Sequence, residues 1–240
     1  MDSLEQGLSL ILPAYKEAEN LKIILPKIHE AFKKLPCQYE ILVVDTVEPM
    51  DDTKTVCETN GAVYVVRKNG NLYGDAIRTG IETAKFSRTS VMDADGSHNP
   101  DDIVRLYNKM NDGYDLCIGS RYINGGYTDN NFVLKLMSYC LNLTFRILFD
   151  LNVKDVSNSM RIYDTKTLKS IKIECDNFDL VEEILIKLKY NFRDIKITEI
   201  PVYFNKRVKG ESKRSLFVFI ISYFKTIIRL WKFKTKADKR

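Results

Sequence analysis

The chain of 240 residues has little that would cross-link it, export it or keep it unfolded. Its cysteines (Cys37, Cys57, Cys117, Cys140 and Cys175) are odd in number and lack zinc-type spacing. That excludes a disulfide framework and predicts reduced, mostly packed thiols in a protein on the cytosolic side. The N-terminus has no cationic region followed by a signal-type apolar run. Leu8 to Leu12 is too short for one and reads as a buried strand. The apolar stretch near the C-terminus is interrupted by Lys225, which argues against a full transmembrane span. No repeat or low-complexity linker is present, and 11 Gly and 6 Pro are too few for a fibrous or disordered chain.

What is present suits one large α/β domain with a substantial core: 45% hydrophobic and 29% charged residues. The formal charge of +5 is unevenly spread. From Asn205 to Arg240 there are 12 Lys or Arg against 2 Asp or Glu, leaving 25 basic against 30 acidic residues elsewhere. A basic tail on an acidic body points to a polyanionic surface. Anionic lipid and nucleic acid both qualify, although the tail carries no recognisable nucleic-acid module.

Strand-like runs fall at Leu8–Leu12, Glu40–Val44, Val63–Val66, Thr89–Met92 and Leu116–Gly119. Helical periodicity separates them at Ala18–Lys34, Tyr73–Ala84 and Asp101–Met110. This alternation predicts an α/β fold with a mostly parallel, Rossmann-like central sheet flanked by helices. Ligands of such sheets bind beyond the carboxyl ends of the strands. Pro13 to Glu17, Asp45 to Asp52 and Asp93 to His98 would converge there. The second half predicts helices at Phe132–Phe149 and Phe178–Leu188, a strand at Ile195–Val202, and an amphipathic, basic helix from Leu216 to Trp231. The last reads as lying in the plane of an anionic membrane surface. Packing within the protein or in an oligomer interface is the alternative for it and for Phe132–Phe149.

Residues Met92 to Pro100 carry the strongest chemical signal. Asp93 and Asp95, one residue apart at the end of an apolar strand, form a pair suited to a hard divalent cation. Such a cation takes oxygen ligands and shares them with substrate phosphates.

Five segments in order then carry a resemblance: Leu12 to Glu17, Val43 to Asp45, Met92 to His98, Ile118 to Tyr122, and Phe204-x-x-Arg207-x-x-Gly210 to Lys213. From about Leu8 to about Ser215 the chain resembles family 2 inverting glycosyltransferases of the GT-A fold. Within them it is most similar to the dolichol-phosphate mannose synthase group, which acts on polyprenyl phosphates. The resemblance implies a catalytic domain over residues 1–214, followed by a membrane-associating helix and tail over 215–240. It implies a nucleotide-sugar donor (UDP- or GDP-linked), a polyprenyl phosphate acceptor, Mg²⁺ or Mn²⁺, and residence on the cytoplasmic face of a membrane.

The same resemblance assigns roles. Asp95 would ligate the metal directly, and Asp93 would contact the metal or the donor ribose. Asp45 would accept hydrogen bonds from base or ribose, with Pro13, Tyr15 and Glu17 lining that pocket. Arg121 would clamp a phosphate, and Arg207 and Lys213 would sit on a loop closing over diphosphate and acceptor. Arg161 is a further cation of this kind, and His98 reads as a helix-entry residue.

Some positions depart from the family pattern. Lys16 replaces the usual Asn, and Asp45 to Asp52 lacks the usual Asp-Asp-Gly-Ser-x-Asp. Asp155 to Arg161 stands where Ser-Gly-Phe-Arg is common, and Lys135 is the nearest cation where an arginine is usual before Ser138. An alternative acceptor is a saccharide hydroxyl of capsule, O-antigen or wall glycan. It would need a carboxylate base, for which Glu182 and Glu183 are the candidates; otherwise both read as an exposed helix face. A third reading, motivated by the altered loop after Asp45, is a catalytically degenerate membrane scaffold.

Overall fold

The computed structural model describes residues 4–205 and 216–239. In chain order the elements are β1 (Glu5–Pro13), α1 (Ala18–Phe32), β2 (Gln38–Asp45), α2 (Thr53–Thr59), β3 (Val63–Val66), α3 (Tyr73–Thr83), β4 (Phe86–Val91), α4 (Pro100–Met110) and β5 (Leu116–Ser120). They continue with β6 (Tyr127–Thr128), α5 (Phe132–Leu148), β7 (Arg161–Asp164), α6 (Thr165–Lys169), α7 (Leu180–Asn191), β8 (Ile197–Pro201), β9 (Tyr203–Phe204) and α8 (Leu216–Ala237).

Seven strands form one sheet in the order β3-β2-β1-β4-β7-β5-β8. All neighbours pair in parallel except β7, which runs antiparallel to both β4 and β5. Alternation along the strands sends side chains to opposite faces. Leu8, Leu10 and Leu12 of β1 join a core beneath α1 and α4, while Ile11 joins a second core under α3, α5 and α7. Both faces are therefore covered, which is why the parallel strands read as continuous apolar runs.

Helix α8 is packed on the domain. Tyr223, Thr226 and Leu230 are buried, and Tyr223 and Trp231 meet the rings of Phe145 and Phe149 edge-on. Its opposite side leaves Phe224 (65%) and Ile228 (44%) exposed, and Trp231, at the flank, is 44% exposed. Helix α5 adds Phe132, Val133, Leu136, Tyr139 and Ile147, also exposed. The internal-packing and surface readings of these helices thus each describe one face. Among the described residues no helix is long and apolar enough to cross a membrane.

Candidate active site

Strands β1, β2 and β4 are parallel neighbours, so their carboxyl ends lie side by side at the same end of the sheet. Asp45, the last residue of β2, is 1% exposed. Burial raises its carboxyl above the usual aspartate value, against opposing hydrogen bonds from Thr46 and Tyr64. The Tyr64 hydroxyl donates to Asp45 Oδ2 at 3.3 Å, and burial together with that carboxylate pushes the phenol up to about 12. Pro13 ends β1 beside Val44, and the backbone then turns through Ala14, Tyr15 and Lys16. Tyr15 is 39% exposed at the rim, and Glu17 accepts from Asn20 Nδ2 at 2.6 Å inside the first turn of α1. Lys16 is left-handed (φ 56°), a conformation that suits Asn better than Lys, and Asn is what the related pattern carries there.

Two residues here escaped the sequence reading. Asp51 receives the Ala18 N–H at 3.0 Å and both the N–H and hydroxyl of Thr53, so one carboxylate caps α1 and α2 together. Burial opposes its ionisation, but these bonds and Lys16 prevail and hold its carboxyl below the usual range. The atypical loop after Asp45 is therefore tied down by Asp51. Arg67, at the end of β3, is 6% exposed and donates to the carbonyls of Ala14 and Asn71, locking the turn after β1 to the loop before α3. Its signal was positional: like Arg121, it is an arginine just beyond an apolar strand.

The loop after β4 carries Asp93 and Asp95. Asp95 is buried, and its Oδ1 accepts the Ser97 N–H at 3.0 Å across Gly96, whose φ of 76° requires a residue without a side chain. Asp93 accepts from the Ser159 hydroxyl at 3.2 Å. His98 does not cap α4, because Asn99 does so by accepting the Asp101 N–H. Instead His98 Nε2 lies 3.6 Å from Asp93 Oδ2, and its ring stacks edge-on against Phe204. Asn205 donates to the Ser97 carbonyl at 2.9 Å, so β9 covers the loop. Arg207 and Lys213 lie outside the described residues.

These residues fit a hard cation. Ser97 Oγ and His98 Nε2 are buried beside the pair and make no hydrogen bond among the described residues. No three His, Cys, Asp or Glu side chains among those residues form a ready-made cage. Two carboxylates without a full protein cage suit Mg²⁺ or Mn²⁺, which complete their shell with water and phosphate oxygens.

Strand β7 brings the third wall. The segment leading into it alternates: Val156, Asn158 and Met160 are buried, while Ser157 accepts from Arg121 Nη2 at 2.8 Å and Ser159 donates to Asp93. Asp155 accepts from the Arg121 backbone N–H at 2.9 Å, from Nε at 2.8 Å and from Nη2 at 2.8 Å. Burial raises the cost of ionising Asp155, but Arg121 outweighs it and keeps the carboxyl well below the usual range. Arg121, expected to clamp a phosphate, is thus paired with a buried carboxylate. One edge of the guanidinium is already spent on Asp155, and the rest stacks near Tyr122 and Phe204. Ser138 lies 3.2 Å from Ser157, and Lys135 sits over the Tyr127 ring.

Three other expectations are corrected by burial. Arg161 is fully buried and donates to the carbonyls of Asn158, Val181 and Val156, so it is a structural cation. Glu182 and Glu183 are not an exposed face, since both are 0% exposed. Glu183 accepts the Glu174 and Cys175 N–H groups and pairs with Lys187. Burial pushes the Glu182 carboxyl up to about 8, and the Tyr223 hydroxyl donates to it.

With this geometry in place, residues 9–172 match the model of glycosyl transferase family 2, and the chain belongs to that family. It is 33% identical over 239 residues to a dolichol-phosphate mannosyltransferase of Pyrococcus furiosus, covering 96% of this chain and 65% of that protein. The chain therefore spans just under two thirds of that relative's length. An undecaprenyl-phosphate mannosyltransferase of Micrococcus luteus is 32% identical over 221 residues, covering 85% and 86%. In fold it resembles glucosyl-3-phosphoglycerate synthase from Mycobacterium tuberculosis, solved with Mn²⁺ and UDP. There the TM-score is 0.74 at 16% identity, covering 95% of this chain and 80% of that one. This is the GT-A arrangement: a mostly parallel sheet, covered on both faces.

Proposed function

We propose that the protein moves a sugar from a nucleotide donor to a polyprenyl phosphate at an anionic membrane surface, with inversion. The single observation behind this is the Asp93/Asp95 loop in a chain 30–33% identical to three enzymes named for dolichol-, polyprenol- and undecaprenyl-phosphate mannosyl transfer. Burial of Glu182 and Glu183 supports the phosphate acceptor. A hydroxyl acceptor needs a base within reach of its proton, whereas a phosphate is already an anion and attacks unaided.

Asp45, Pro13, Tyr15 and Glu17 would receive the nucleoside. Asp95 and Asp93 would hold Mg²⁺ or Mn²⁺, which supplies charge neutralisation for the departing diphosphate. Arg121, fixed by Asp155, adds a preorganised positive charge, and Arg207 and Lys213 would complete it. The exposed apolar residues of α5 and α8, with Lys225, Lys232 and Lys236 alongside, support peripheral attachment from the cytoplasmic face.

The test is incubation with radiolabelled UDP- and GDP-sugars, nucleotide-linked mannose first, and undecaprenyl or dolichyl phosphate. A metal-dependent, chloroform-soluble product is expected. Absence of that product with every donor, in protein that still binds nucleotide, would refute the lipid acceptor.

A further inference from the structure

Ser159 joins two parts of the site that belong to different elements. Its hydroxyl donates to Asp93 Oδ2 at 3.2 Å. Strands β4 and β7 pair antiparallel with Val91 opposite Arg161. Continued two residues beyond the ladder, that register sets Asp93 opposite Ser159 and on the same face. Aligned on Arg161, the chain has Asn158-Ser159-Met160 where the related pattern has Ser-Gly-Phe. The hydroxyl therefore stands where that pattern has no side chain.

The residues around Ser159 leave it little freedom. Asn158 and Met160 are buried, and both are tied to Gly119 of β5. Asn158 Nδ2 donates to the Gly119 carbonyl at 2.6 Å, and the Gly119 N–H donates to the Met160 carbonyl at 2.9 Å. Gly119 permits this approach, because a Cβ there would meet Val202 Cγ1 at 2.9 Å and the Met160 carbonyl oxygen at 3.2 Å. Arg161, fully buried, donates to the Asn158 carbonyl at 2.9 Å. With both neighbours turned inward, alternation turns Ser159 outward.

Asp93 is less constrained by its own loop. Its side chain is 23% exposed, and the carboxylate torsion of an aspartate is broad and roughly two-fold. The backbone after β4 does not by itself set the plane of that carboxylate. His98 Nε2 is 3.6 Å from the same Oδ2, too far to donate. The Ser159 hydroxyl is within reach, comes from a fixed segment, and makes a charge-assisted bond.

We propose, on the reading of Asp93 and Asp95 as the cation pair, that Ser159 is a positioning residue for that pair. Its hydroxyl sets the orientation of the Asp93 carboxylate and so raises affinity for the Mg²⁺ or Mn²⁺ held there. Loss of a group that orients a metal ligand costs roughly 10–100-fold in metal affinity. One bond to a partly exposed carboxylate belongs at the lower end, about tenfold.

The full chain would be titrated by calorimetry with UDP and with GDP, each with and without Mn²⁺, and with no sugar or lipid present. Ser159→Ala and Ser159→Gly should weaken Mn²⁺-dependent binding about tenfold. Both should leave metal-free binding unchanged and melt close to the parent. Ser159→Thr, which keeps the hydroxyl, should restore the parent's affinity. The proposal is overturned if the Ala and Gly variants bind like the parent, which is also the result if Ser159 touches only the sugar or the acceptor. It is overturned if metal-free binding falls as far as Mn²⁺-dependent binding, or if Ser159→Thr loses as much as Ser159→Ala. A parent that binds neither nucleotide in a Mn²⁺-dependent way overturns the cation pair and this proposal together. Parent-like binding by Ser159→Ala, in a chain whose parent does show that dependence, overturns this proposal alone.

Discussion

Removing the Asp155 carboxylate should unfold this protein far more readily than removing any of its surface acids. Asp155 is 0% exposed and accepts three hydrogen bonds from Arg121, whose side chain is 8% exposed. Asp155→Ala strands the guanidinium away from water without a counter-charge. Breaking a buried pair by deleting one partner costs about 3–5 kcal/mol, against a total stability of about 5–15 kcal/mol for a domain. Removing both charges together is a different experiment. Arg121→Met with Asp155→Asn keeps an acceptor for the Arg121 backbone N–H and should cost less than the single variants Arg121→Met and Asp155→Asn summed, with a coupling of about 1.5 kcal/mol or more across that cycle. Urea unfolding followed by circular dichroism measures each variant. Fluorescence of the single tryptophan, Trp231, tests whether α8 unfolds in the same transition. The pair also sets an acid limit. The folded carboxyl is held below its unfolded value of about 3.9, so its contribution is full above that pH and is lost as pH falls through the folded value. If Asp155→Ala costs under about 1 kcal/mol, or if the two substitutions merely add, the pair does not hold the wall. Arg121 would then be free to clamp substrate.

Glu182 works in the opposite sense. Its folded carboxyl stays protonated up to about 8, while the unfolded one ionises near the ordinary glutamate value of about 4.3. The stability it contributes is present below the unfolded value and drains as pH rises through the folded one. Glu182→Gln should therefore flatten the melting temperature against pH between about 5 and 8; a variant curve parallel to the parent's would contradict this. Lys16→Asn relieves a left-handed backbone and should raise stability by up to about 1 kcal/mol, read as a shift in urea midpoint; no shift or a loss would count against strain there. Phe224→Ser and Ile228→Ser together should weaken sedimentation with anionic vesicles roughly tenfold while leaving the fold intact. Unchanged sedimentation would place the membrane contact elsewhere.

The sequence disclosed what local pattern controls. The apolar runs of β1, β2, β4 and β5 and the stripe of α1 are visible because each buries its own side chains. Strand β7 was missed because four residues carry little pattern, and its place between β4 and β5 is set by tertiary pairing. The Asp93/Asp95 pair was visible at the end of an apolar strand, but its reading as a cation site rested on the five family segments around it and not on spacing. The partner of Arg121 was not, since Asp155 is 34 residues away and nothing local joins them. Glu182 and Glu183 misled because a helix with adjacent acids reads as solvated. Helix α7 is instead buried along its whole stretch from Leu180 to Leu188, and its acids find Tyr223, Lys187 and backbone donors.

The most direct measurement is calorimetric binding of UDP and GDP, each with and without Mn²⁺, to the parent chain and to Asp95→Asn. One nucleotide should bind the parent in a Mn²⁺-dependent way, and that dependence should vanish in Asp95→Asn while the melting temperature stays close to the parent's. Metal-independent binding in both proteins, or Mn²⁺-dependent binding that survives Asp95→Asn, would contradict a cation held at this pair.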